Sequence, residues 1–190
     1  MAIDKRTALL DAAEAVLVEQ GLVGATVDQI TARAGVAKGT FYLYFRSKDE
    51  VVGALQERLW DGLVEASVAA AERLGSDDWW NVIDAFLDTV VAYDLEHRDW
   101  HRLIAQGWSS PGPEVAKREQ QIVDIFAAGI QTGVDDGKFT VTDVEMTATM
   151  LYRAVEGTMH QCCISDGEVD PQRLSTAFKW LVRQVLHPSR

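Results

Sequence analysis

The chain has little of what most enzyme and membrane classes require. Only two of its 190 residues are cysteine, adjacent at Cys162 and Cys163. Such a pair cannot supply a disulfide framework. Neighbouring helix positions point about 100° apart, so the two thiols are read as structural, not as a metal or redox pair. No apolar run approaches the ~20 residues that span a bilayer. There is no G-x-S-x-G, no Gly-rich phosphate loop, no HExxH and no CxxC, so the common nucleophile, nucleotide and zinc motifs have no carrier. His97 and His101 stand at i, i+4, but no third ligand is fixed beside them. No enzyme activity, metal or cofactor is expected. No stretch alternates as a half-buried strand does, and no segment repeats.

Positive charge is also scarce. Lys and Arg number 18 against 29 Asp and Glu, for a net charge of −11, which excludes a general nucleic-acid coat. The imbalance is uneven. Residues 1–50 hold six basic and seven acidic side chains, whereas 51–190 hold twelve and twenty-two. One end is near neutral and the rest is acidic. An acidic body repels DNA, so a near-neutral end would dock in one defined pose.

What is present is a helical globule. Apolar residues make up 47% of the chain, enough for a substantial core. The N-terminal segment is interrupted by Asp11, Glu14 and Glu19; it is not expected to be a signal peptide, and a cytoplasmic location is expected. About nine helices are expected, all-α in class. The first, from about Asp4 to Gln20, has a stripe of Ala8, Leu9, Ala12, Ala13, Val16 and Leu17 and stops at Gly21.

The most informative stretch is TVDQITARAGVAKGTFYLYFRSK, residues 26–48. Thr26 and Gln29 form a T-x-x-Q capping box. Val27, Ile30 and Ala34 share a face, and Gly35 ends the helix. In the next short helix Ala37, Phe41 and Phe45 are expected on one side. Lys38 and Tyr42 share another side, and Thr40 and Tyr44 a third. Ser47 with Glu50 reads as a further capping box. Two short helices around a Gly-containing turn are the helix-turn-helix pattern, whose second helix enters the major groove.

The run AGVAKGTFYLYFRSKDEVV, preceded by ATVDQITARAGV, resembles the N-terminal DNA-binding domain of the TetR family of transcriptional regulators, over roughly residues 5 to 55. The resemblance implies a homodimeric, ligand-responsive regulator, usually a repressor. It divides the chain into a helix-turn-helix DNA-binding domain at 1–46 and a larger ligand-binding and dimerisation domain at 47–190. The expected DNA contacts are Lys38, Gly39, Thr40, Tyr42 and Tyr44 on the reading helix. Gly39 allows close backbone approach. Thr26 and Lys48, at helix starts, are carried over as backbone phosphate clamps. The expected partner is double-stranded DNA with a near-palindromic operator.

In the rest of the chain a long helix runs from Ser47 to about Leu74, followed by helices at about 79–95, 99–108, 113–132, 142–164 and 170–186. WSSPGP at 108–113 reads as a loop, Gly133 as a helix end, and Thr142 with Glu145 as a capping box. Val144, Ala148, Leu151, Val155 and Thr158 are the expected inner face of the eighth helix. The last two helices cannot cover each other's broad apolar faces. Packing against a second copy, as a four-helix bundle, is expected. Leu59, Phe86, Tyr93, Trp100, Trp108 and Phe126 are the candidate lining of an effector pocket, suited to a flat apolar, aromatic or cationic small molecule. The alternative is an effector-free helical interaction or architectural DNA-binding module.

Overall fold

The computed structural model describes residues 4–75, 78–105 and 113–188. Among them are nine helices: α1 Lys5–Gly24, α2 Val27–Arg33, α3 Lys38–Tyr44, α4 Lys48–Leu74, α5 Trp79–Glu96, α6 Arg98–Ala105, α7 Pro113–Asp135, α8 Val144–Ile164 and α9 Pro171–Val185. The fold is all-α, as expected. None of the helices is long and apolar enough to cross a membrane. The described residues form two compact units. One comprises 4–62 with 99–105, the other 63–98 with 113–188.

The first unit is built on α1. Asp4 caps it by accepting the Arg6 N–H at 3.2 Å. Leu9, Leu10, Ala12, Ala13, Val16 and Leu17 are buried along its inner stripe. The helix breaks at Gly21, where φ is 73°, and one further turn carries it to Gly24. The Thr26–Gln29 capping box forms as read from the sequence. Gln29 N–H donates to Thr26 Oγ1 at 3.3 Å, and Thr26 N–H donates to Gln29 Oε1 at 2.8 Å.

Gly35 (φ +67) closes α2. Its N–H donates to the Ala32 carbonyl at 3.2 Å and the Val36 N–H to the Thr31 carbonyl at 3.0 Å. This is a Schellman stop, whose left-handed residue favours glycine. Phe41 and Phe45 are buried with ring centroids 5.7 Å apart. Ala37 is not with them. It is the N-cap of α3 and exposed, because the helix begins only at Lys38; Val36 packs on the core instead. Val51, Val52 and Leu55 of α4 and Trp100 and Leu103 of α6 complete this core. The Trp100 indole N–H donates to Gln56 Oε1 at 3.0 Å, and Arg58 of α4 pairs with Asp11 of α1 at 2.6 Å and with Glu14.

In the second unit α5 packs on α9 and α7 on α8, around Leu87, Val91, Met159, Cys163 and Phe178. Asp78 and Asp170 cap α5 and α9, the latter followed by Pro171 at the first helical position. Three expectations are corrected here. Helix α7 runs through Gly133 to Asp135 and stops at Gly137 (φ +66). Gly133 is required for packing, since a Cβ there would lie 2.1 Å from Phe139 Cζ. Asp143, not Thr142, caps α8, accepting the Met146 N–H at 2.9 Å. Thr158 is exposed and Met159 is buried in its stead. Phe139–Thr140 also pairs antiparallel with His187–Pro188, a two-residue ladder too short to alternate visibly.

Candidate nucleic-acid interface

Helix α3 has one buried side and one open side. Phe41 is fully buried and Phe45 nearly so. Opposite them lie Gly39 and Leu43, each two residues and so about 200° away from Phe41 around a helix of 3.6 residues per turn. Tyr42 is 54% exposed, Leu43 80% and Tyr44 38%, while Thr40 is half-buried. The Phe41 ring meets Tyr42 edge-on at 5.3 Å, which restricts the phenol on its way outward. Nothing lies within 4 Å of where a Gly39 Cβ would stand, so that position is open to an approaching surface. The exposed Leu43 is not among the contacts expected from the sequence. Counting 100° steps from Phe41 places it outward.

The two helix-start positions behave differently from a bare clamp. The Thr26 hydroxyl donates to Gln29 Oε1 at 2.9 Å, so both its O–H and its N–H are engaged within the capping box. The Lys48 ammonium turns back and donates to the Ala25 carbonyl at 2.9 Å and to the Leu22 carbonyl. It sits at the negative end of the α1 dipole. Lys38 Nζ pairs with Asp28 Oδ1 at 2.8 Å. The hydrogen bond that the ammonium donates to that carboxylate, then the carboxylate's charge, raise the Lys38 pKa above the usual lysine value.

The candidate effector residues separate. Leu59 and Trp100 belong to the core of the first unit, where Trp100 is 4% exposed. Phe86 and Phe126 meet edge to face at 5.3 Å in the second unit, with Tyr152 at 6.1 Å from Phe126. Tyr93 stacks on His97 at 4.1 Å. Trp108 lies outside the described residues. Burial, followed by the charges of Glu119 and Glu156, raises the Tyr152 phenol well above the usual tyrosine range, so it stays a neutral hydroxyl. Among the described residues no group of three or more His, Cys, Asp or Glu is arranged for a metal ion.

A buried-backed, open-faced short helix behind a Gly turn is the helix-turn-helix arrangement. Residues 9–55 match the model of the bacterial regulatory proteins of the tetR family. The chain is 38% identical over 92 residues to the HTH-type transcriptional regulator YvdT of Bacillus subtilis, covering 48% of this chain and 46% of that one. That alignment thus spans about half the relative's length. It is 26% identical over 190 residues to the fatty acid metabolism regulator protein of the same organism, covering 94% of each. The solved fatty acid degradation regulator FadR of Bacillus halodurans shares the fold, with a TM-score of 0.73, 20% identity and 99% of both chains covered. Residues 9–55 thus carry the N-terminal domain found in tetR-family regulatory proteins. The relatives and the solved neighbour named here are regulators. Regulators of this family bind DNA and small-molecule effectors and typically act as dimers.

Proposed function

We propose that the protein is a homodimeric repressor released from a near-palindromic operator by a small apolar or aromatic effector. Residues 1–46 serve as the reading head, and 47–190 as the sensing and dimerising body. The observation that carries the reading is the open side of α3, with Tyr42, Leu43 and Tyr44 exposed on a helix whose opposite side is buried. Exposed apolar and phenolic groups at that density cost solubility unless a partner covers them. Thr40, Tyr42 and Tyr44 suit phosphates and thymine methyls, Lys38 a guanine edge, and Gly39 the close approach. The N–H groups at Thr26 and Lys48 complete the contacts, the former once Gln29 releases it.

The effector is proposed to bind against the Phe86, Phe126 and Tyr152 cluster of α5, α7 and α8, with Tyr93 near it in sequence on α5. Leu59, Trp100 and Trp108 are the remaining candidates from the sequence. Two relatives named for fatty acid metabolism make long-chain acyl compounds the first probes. Helix α4 is continuous from Lys48 to Leu74 and contributes to both units. It is the proposed carrier of the signal. The effector must bind the DNA-incompetent arrangement more tightly, because a ligand of equal affinity shifts nothing.

The second copy is proposed to cover α8 and α9. Their inner flanks are tied to α5 and α7 by Lys179–Asp88 at 2.6 Å, Arg183–Asp84 at 2.7 Å and Arg153–Glu119 at 2.8 Å. Their outer flanks leave Met146, Met150 and Trp180 exposed. An open depression lined by Arg173, Thr176, Ala177 and Trp180 lies on α9.

The deciding experiment is a fluorescence titration with the promoter DNA flanking its own gene, with and without acyl, aromatic and cationic compounds. Tight, salt-dependent binding released by one class supports the whole reading. Binding that no compound releases favours the effector-free module. No binding there, nor to any duplex selected from random DNA, refutes the reading.

A further inference from the structure

Asp28 is the second residue of α2, and Lys38 opens α3 across the turn. The carboxylate holds the ammonium with both oxygens: Nζ lies 2.8 Å from Oδ1 and donates to Oδ2 at 3.0 Å. Both side chains are open to solvent, Lys38 by 54% and Asp28 by 70%. An ion pair so exposed contributes little to stability. The core beneath it, with Ile30, Phe41 and Phe45 buried, already holds the two helices together. The pair is therefore available to a partner.

Its chemistry is selective. A lone ammonium at the start of a reading helix is attracted to any phosphate, and phosphate contacts carry no sequence information. A carboxylate 2.8 Å away cancels that attraction and itself repels phosphate. What remains is an adjacent donor and acceptor. A G·C base pair presents the complement in the major groove. Guanine O6 and N7 accept, and cytosine N4 donates. We infer that Asp28 is a specificity-determining residue: it withholds Lys38 from the phosphate backbone, and the Asp28–Lys38 pair reads a G·C base pair in each half-site. The inference rests on the DNA-reading role proposed above and adds the acidic partner to it.

The test uses the full-length protein. Operators are selected from random duplexes with wild type and Asp28→Asn in parallel. Affinity for the wild-type operator and for random-sequence DNA is then followed by anisotropy over a range of salt. The expected result is that Asp28→Asn binds random DNA roughly tenfold more tightly per subunit near ~0.1 M salt, with a log–log salt slope steeper by about one per subunit. It also loses the selected G·C preference at one position. Adding Lys38→Met to Asp28→Asn should return random-DNA affinity to the wild-type level. Asp28→Ser serves in its place should Asp28→Asn lose its thermal transition. An unchanged slope and an unchanged selected sequence overturn the inference while leaving the DNA-reading role intact. A wild type that selects no sequence overturns both.

Discussion

Replacing Lys48 by Met removes an ammonium while keeping its aliphatic stem, and the structure states what that should do. Lys48 Nζ donates to the carbonyls of Leu22 and Ala25, at the end of α1 where helix carbonyls lack intrahelical partners. Ala25 is 2% exposed, so water does not easily replace the lost donor there. Leu22 is half-buried, and its carbonyl is more readily rehydrated. One buried carbonyl left unsatisfied costs about 1–3 kcal/mol. Losing a cation from a helix C-terminus adds about 0.3–1 kcal/mol. A total of about 2 kcal/mol corresponds to a fall in Tm of about 4–8 °C for a chain of this size. The assay is thermal and urea denaturation at one fixed protein concentration, since dimer stability depends on concentration. It is paired with operator affinity over a range of salt. Because the ammonium is occupied by backbone, the salt slope should not change. An unaltered Tm together with a slope reduced by about one per subunit would refute the reasoning, for the ammonium would then be a phosphate contact.

Other expectations follow from the same geometry. Tyr42→Ala should weaken operator binding by about 1–3 kcal/mol and leave the size-exclusion profile of the dimer unchanged; equal operator affinity would remove Tyr42 from the reading face. Gly133→Ala forces a methyl onto the Phe139 ring, which is 1% exposed and flanked by Trp79 at 6.0 Å and Trp80 at 5.9 Å. Overpacking of this kind costs about 1–3 kcal/mol or more. Combining it with Phe139→Leu should cost less than the sum of the two single changes in urea titrations. Trp180→Asp places a charge on a side chain that is 63% exposed on α9. Sedimentation should show the assembly shifting to monomer, and a persistent dimer would locate the contact elsewhere.

Much of this protein is legible from local sequence alone. Thr26 and Gln29, Gly35, the Asp170–Pro171 start of α9, and the spacing of Phe41 and Phe45 each act within one or two helical turns. Capping, left-handed stops and helical periodicity are local effects, so neighbours in sequence suffice to read them. The division into a near-neutral head and an acidic body is likewise a matter of counting. Side chains whose partners are remote in sequence were not legible. Lys48 was read only as a phosphate clamp at a helix start, because the carbonyls its ammonium meets lie 23 and 26 residues earlier. Asp28 acquired a role only beside Lys38. Gly133 looked like a stop because the Phe139 ring it accommodates returns to it through a turn. Trp100 was grouped with Phe86 and Phe126 by composition, yet it packs with α1 and α4 in a different core. Composition says which side chains a helix offers; only packing decides which of them meet, because contact energies fall off within a few ångströms while sequence separation sets no limit on approach.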